Sequence, residues 1–189
     1  MPSKKKLLLL TIFALTCLSI GFVAGFLSYT PLVTWNAEKY YRNRRDKFSD
    51  KPAPTVATRT VDNNAWSLQD YRGKIVLVNF WAVWCGPCLQ EIPELKEIYS
   101  KYKNHPDFFM VGVSLDQQKE VMTQFCKQRQ IEWLQLYEDD QGWNNSLARA
   151  FDIQFIPSIW LIDRGGNIIA FETSLNDIES KLAQTLNQQ

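Results

Sequence analysis

The sequence predicts an α/β domain in three layers, a central mixed β-sheet with helices on both faces, preceded by one N-terminal transmembrane helix. Three observations carry this expectation. Ile75–Trp81 and Phe108–Ser114 are continuous β-rich apolar runs, as in strands buried on both faces. Segments with a 3.6-residue apolar period alternate with them, the pattern of a sheet covered by helices. Leu7 to Tyr29 carries no charge over 23 residues. As a helix it would reach about 35 Å, against a hydrocarbon core of about 30 Å.

Composition sets the outer limits. The chain has 189 residues, 46% apolar and 22% charged, which excludes disorder and low complexity. Seven Trp imply a substantial core. The formal charge of +1 hides a division: residues 1–50 hold eight Lys/Arg against three Asp/Glu, whereas residues 51–189 hold thirteen against seventeen. The folded part is mildly acidic, so no nucleic-acid partner is expected. Four Cys and one His are too few for a disulfide-stapled mini-domain or a Cys/His zinc site, and no metal is expected.

At the N-terminus, Lys4, Lys5 and Lys6 flank the uncharged run. Residues 1–30 therefore read as a signal-anchor. Val23 and Gly25 would also suit cleavage after Gly25, but apolar character continues through Phe26 and Leu27, which favours an uncleaved helix. Basic residues flank both ends of the run, so charge alone leaves its orientation nearly tied. Residues 31–53 mix charge, Tyr and Pro and read as a membrane-proximal linker. The folded domain is expected over 54–189.

Within that domain the first strand, Ile75–Trp81, is followed by a helix from Pro87 to about Tyr102, which Pro93 should bend. After the strand Phe108–Ser114, residues 117–130 read as a helix with Val121, Met122, Phe125 and Cys126 on one face. Trp133 to Tyr137 suits a short strand, and Asn144 to Ala150 a short helix. Ser158 to Asp163 and Asn167 to Phe171 flank Arg164, Gly165 and Gly166, a hairpin signature. Leu175 to Leu186 closes the chain as an amphipathic helix. No internal repeat is present.

The chemistry concentrates in Trp84-Cys85-Gly86-Pro87-Cys88. Two Cys three residues apart close a disulfide where the backbone turns, and Gly86-Pro87 suits such a turn. Between a buried strand and a helix, Cys85 would occupy the helix N-terminus. Free N–H groups and the helix dipole there stabilise a thiolate. Cys85 is thus the expected exposed nucleophile, and Cys88, one turn inside the helix, the resolving thiol. Trp84 is expected on the docking surface and Trp81 in the core. Cys126 reads as a buried core thiol.

With these residues the sequence resembles the thioredoxin superfamily, and within it the membrane-anchored TlpA/ResA-like thiol-disulfide reductases. The resemblance covers about Pro54 to Leu186. Leu68, Asp70, Gly73 and Lys74 match the family's entry to the first buried strand. Cys88, Glu91, Pro93 and Leu95 match its C-x-x-E-x-P-x-L continuation. Phe151 to Pro157, followed by a strand and Asp163 to Gly166, match its cis-proline loop and terminal hairpin. The resemblance implies a thioredoxin-like sandwich and a cis Ile156–Pro157 bond beside Cys85, with Gly86, Pro87 and Ile156 contacting substrate. From the residues alone Pro157 suits a trans turn equally well. Thioredoxins carry an Asp six residues before the first active-site Cys, where this chain has Asn79. Glu91, three residues after Cys88, is then either a solvated helix-face group or a partly buried proton exchanger for the thiol pair.

The resemblance further implies protein disulfides as substrates, as in cytochrome c maturation or metallo-site assembly, and re-reduction by a membrane thiol transporter of the DsbD/CcdA kind. No cofactor is expected beyond a redox-active Cys85–Cys88 disulfide. The location expected is the extracytoplasmic, periplasmic side of the cytoplasmic membrane. Two alternatives stand beside this reading: a thiol peroxidase of related fold, whose Pro/Thr-rich loop is not found here, and a non-catalytic docking or chaperone module.

Overall fold

The computed structural model describes residues 37–139 and 141–188. The membrane segment expected over 7–29 lies outside the described residues, among which no helix is long and apolar enough to cross a membrane. Residues 37–48 form a helix, α1. Among the described residues, 37–47 fall in one unit and Phe48 onward in another. Within the first, the Arg44 guanidinium lies 5.9 Å over the Tyr40 ring, the spacing of one helical turn.

The second unit is built on a five-stranded mixed sheet. Its strands are β3 (Ile75–Trp81), β4 (Phe108–Ser114), β5 (Leu134–Leu136), β6 (Ser158–Ile162) and β7 (Ile168–Phe171), in the order β5-β4-β3-β6-β7. β3 runs parallel to β4 and antiparallel to β6, and all seven of its residues are buried. Period-two alternation divides them between two cores. Ile75 and Leu77 join Leu95 and Ile98 of α2 (Gly86–Tyr102) and Ile178 and Leu182 of α5 (Leu175–Leu186). Val76, Val78 and Phe80 join Met122 of α3 (Lys119–Arg129) and Leu147 of α4 (Ser146–Ala150). Full burial of one such side chain is worth about 1.5–3 kcal/mol. The three layers expected from the sequence are present.

On the second face Trp160 is fully buried at the centre of an aromatic group. It stacks on Phe171 at 4.7 Å and meets Phe48 and Phe151 edge-on, each at 5.0 Å. Its indole N–H donates to Ser158 Oγ at 2.9 Å, so the ring is buried without an orphaned donor.

Phe48 thus belongs to the folded unit, which the sequence placed only from Pro54 onward. The residues between, expected as linker, attach at the start of β7 and the turn before it. Asp50 N donates to Ile168 O, Ile168 N to Lys51 O, and Ala53 N to Gly166 O. At the opposite edge Val61 N donates to Gln135 O beside β5, and Thr60 bridges Leu136. A two-stranded sheet of β1 (Ala57–Arg59) and β2 (Ala65–Ser67) precedes β3. The sequence reading has no counterpart for it, because three-residue strands are too short to show a period.

Local chemistry sets the remaining ends. Asn145 Oδ1 accepts from Leu147 N and Ala148 N, and Ser174 Oγ accepts from Asp177 N, capping α4 and α5. In the β6–β7 hairpin Asp163 Oδ1 accepts from Asn167 N, and Gly166 supplies the positive φ of 80° that the turn needs. α2 continues through Pro93 from Gly86 to Tyr102. Pro93 lies on the solvent side, where water can reach the carbonyl it leaves without a donor.

Candidate active site

The central strand delivers the cysteines. β3 ends at Trp81, the chain turns over Ala82–Trp84, and Cys85 caps α2 in an extended conformation. Cys85 N donates to Ala82 O at 3.1 Å, and Cys85 Sγ accepts from Cys88 N at 3.2 Å. The two sulfurs are joined in a disulfide, with Cα atoms 5.3 Å apart. Gly86 and Pro87 form the exposed first turn, where the N–H that Pro lacks would have no helical acceptor. The Cys85 sulfur lies against the N–H groups and positive dipole end of α2, a position that favours a thiolate over a thiol.

Exposure is distributed differently from the expectation. Cys85 is only 5% exposed and Cys88 2%, whereas Trp84 is 57% exposed. Cys85 is buried with its sulfur bonded to Cys88, while its neighbour's indole stands largely in solvent. Trp81 is buried, and its indole N–H donates to Gln135 Oε1 at 3.0 Å.

A residue that sequence reading missed fixes the turn before Cys85. Asp116 follows β4, and both of its carboxylate oxygens accept from Val83 N, at 3.0 and 3.1 Å. Ser114 Oγ donates to it at 2.8 Å. Burial pushes its pKa up, and these hydrogen bonds oppose the shift. The available signal was a carboxylate just past the C-terminal end of a buried strand parallel to the one carrying the cysteines.

Glu91 lies on α2 one turn beyond Cys88, half-buried, and its Oε2 has no hydrogen-bond partner. Burial first, and the charge of Glu94 second, raise its pKa. Asn79 is buried on β3 between Gly112 and Ile159, and its Oδ1 also lacks a partner. Cys126 packs half-buried against the core, with Sγ 3.7 Å from Met122 Sδ. Burial, followed by the charge of Asp116, pushes its thiol up to about 12. The Ile156–Pro157 bond is cis. Ile156 packs against the core cluster that contains Cys85 and Cys88.

This dithiol site on this sheet agrees with what comparison with known proteins finds. The Redoxin family pattern matches residues 48–186. The chain belongs to the Redoxin family. It is a TlpA/ResA-like member of the thioredoxin superfamily and, as an enzyme, a thiol-disulfide oxidoreductase. It is 28% identical over 166 residues to the thiol-disulfide oxidoreductase ResA of Bacillus cereus, covering 88% of this chain and 87% of that protein. ResA of Geobacillus kaustophilus is 30% identical over 134 residues, covering 69% and 74%. Among solved structures, a thiol-disulfide oxidoreductase from Bacteroides fragilis superposes with a TM-score of 0.65 at 29% identity, over 71% of this chain and 98% of that one.

Proposed function

We propose that this oxidoreductase reduces protein disulfides on the outer side of the cytoplasmic membrane, held there by residues 7–29. The observation that supports the chemistry is the Cys85–Cys88 disulfide at the N-terminus of α2, with Cys85 Sγ against Cys88 N. In the reduced enzyme the Cys85 thiolate attacks one sulfur of a substrate disulfide and expels the other as a thiolate, leaving a mixed disulfide. Cys88 gives up its proton and attacks Cys85 Sγ. The enzyme disulfide closes and the second substrate thiol departs, so two electrons have passed from dithiol to substrate. Glu91 takes the Cys88 proton. Trp84, Gly86, Pro87, Ile156 and Pro157 form the contact surface for the substrate chain.

The Gly86-Pro87 pair resembles the reducing thioredoxin type and supports the direction. An anchored dithiol facing an oxidising space needs a dedicated electron donor, a membrane thiol transporter of the DsbD/CcdA kind. Its substrates are cysteine pairs that must be reduced before haem or metal attachment. Equilibration with thiol–disulfide buffers tests the direction. A potential near that of thioredoxin, about −270 mV, is expected, and one near the oxidant DsbA, about −120 mV, overturns it. Covalent trapping on Cys85 in a Cys88→Ala variant identifies the substrates, and protease access in spheroplasts tests the side of the membrane.

A further inference from the structure

Six tryptophans lie among the described residues. Trp66, Trp81, Trp133 and Trp160 are buried, while Trp84 and Trp143 are 57% and 45% exposed. These two lie beside each other, with ring centroids 6.3 Å apart. Between them and Val121, itself exposed, opens a cleft of about 480 Å³, floored by Leu115 and Asp116. Exposed aromatic groups gathered on one cleft are uncommon on a solvated surface and are typical of contact sites.

We infer that this cleft is the specificity subsite of the enzyme, taking an aromatic or large aliphatic side chain that lies close in sequence to the reacting cysteine of a polypeptide substrate. The inference rests on the thiol-disulfide reading above. Proximity points to its occupant. Trp84 is bonded to Cys85, so the cleft begins one residue from the sulfur that holds the substrate chain in a mixed disulfide, within reach of a side chain next to the substrate's cysteine. The cleft's chemistry selects the side chain. No Lys or Arg lines it, and its one carboxylate, Asp116, is already engaged by Val83 N and Ser114 Oγ. An incoming charge would meet no opposite charge that is free, only the neutral amides of Gln117 and Gln118, whereas an apolar ring would be covered by two indoles.

The backbone that carries the far wall is held by its own hydrogen bonds. Trp143 sits in a short 3-10 turn, Gly142–Asn144, in which Asn144 N donates to Gln141 O and Asn145 N to Gly142 O. Asn145 in turn caps α4. The backbone under the Trp143 ring is then already ordered before a ring docks against it.

The test uses the reduced full chain and a series of symmetrical cystine peptides, Gly-X-Cys-Gly, with X as Trp, Leu, Gly, Lys or Asp, together with hydroxyethyl disulfide. The expected result is a kcat/KM about 10- to 30-fold higher for Trp or Leu than for Gly, carried by KM. Trp143→Ala and Val121→Ala, on separate walls, should each bring that ratio to within about threefold, and Trp143→Phe should restore most of it. A wild-type preference for Lys or Asp, no preference, or a preference that survives Trp143→Ala overturns the subsite. A dimer in sedimentation that Trp143→Ala dissociates would assign the cleft to a second copy, and also overturns it. Failure to reduce any disulfide, hydroxyethyl disulfide included, instead refutes the oxidoreductase reading itself.

Discussion

Replacing Glu91 by Gln should move rate and stability in opposite directions, which separates a working acid–base group from a surface carboxylate. The side chain is half-buried, one oxygen has no partner, and burial together with Glu94 raises its pKa above the ordinary 4.5. A pKa raised in the folded state means that the fold favours the protonated acid. The stability this group contributes is fully present below about pH 4.5 and is lost as pH rises through the raised value. Gln keeps the shape without the charge, so the variant should match the wild type at pH 4 and exceed it at pH 7. Gln leaves a polar atom at the same place, so the gain comes from removing the desolvated charge and its repulsion by Glu94, and half-burial keeps it to about 1 kcal/mol. Turnover should fall about 10- to 100-fold, because Cys88 must then lose its proton from a buried position without an acceptor. Urea titrations from pH 4 to 8 read the first effect. Stopped-flow reduction of a model disulfide, with attack by Cys85 and resolution by Cys88 measured separately, reads the second. Equal stability at pH 7, with resolution rates and pH profile unchanged, would refute the reasoning and leave Glu91 as a solvated helix residue.

Asp116→Ala removes the acceptor for Val83 N and Ser114 Oγ, and should cost about 2 kcal/mol in urea unfolding while slowing attack by Cys85. Gly112→Ala would put a Cβ 2.3 Å from Gln135 Oε1, displacing the amide that accepts from Trp81. A loss of about 1–3 kcal/mol is expected, read as a lowered Tm. Cys126, with its thiol pushed up to about 12, should resist iodoacetamide at pH 8 in the reduced folded protein, where Cys85 is modified first. Mass mapping after brief labelling checks this, and early modification of Cys126 contradicts it.

The elements that the sequence made legible are those long enough to repeat a pattern. β3 and β4 read as seven-residue apolar runs, and α5 by its apolar stripe. The hairpin at Arg164–Gly166 was readable because only a few turn chemistries connect adjacent strands. β1 and β2 were invisible at three residues each, and Phe48 was hidden inside a charged stretch that only the facing Trp160 explains. In the site, the cysteines and Glu91 stand in one short motif, so spacing on a helix was enough to place them together. Asp116 and Trp143 reach the same region from 31 and 58 residues beyond Cys85. Such convergence is set by parallel strand pairing and by the turn at Gly142, and a linear pattern does not encode it.

The two outer strands of the sheet carry a consequence for handling the protein. A strand with open N–H and C=O groups is a template on which another chain can add, the usual beginning of aggregation. Here part of that template is taken up from within: residues 50–53 pair with Gly166 to Ile168, where β7 begins, and residues 60–61 pair with Gln135 and Leu136 of β5. A chain trimmed to begin at Pro54, the boundary that charge and proline suggest, would lose the first of these covers together with the Phe48 ring. Its redox centre would be intact on paper. The trimmed protein would nevertheless expose the start of β7 to its neighbours, and should precipitate at concentrations that a chain beginning ahead of Phe48 tolerates.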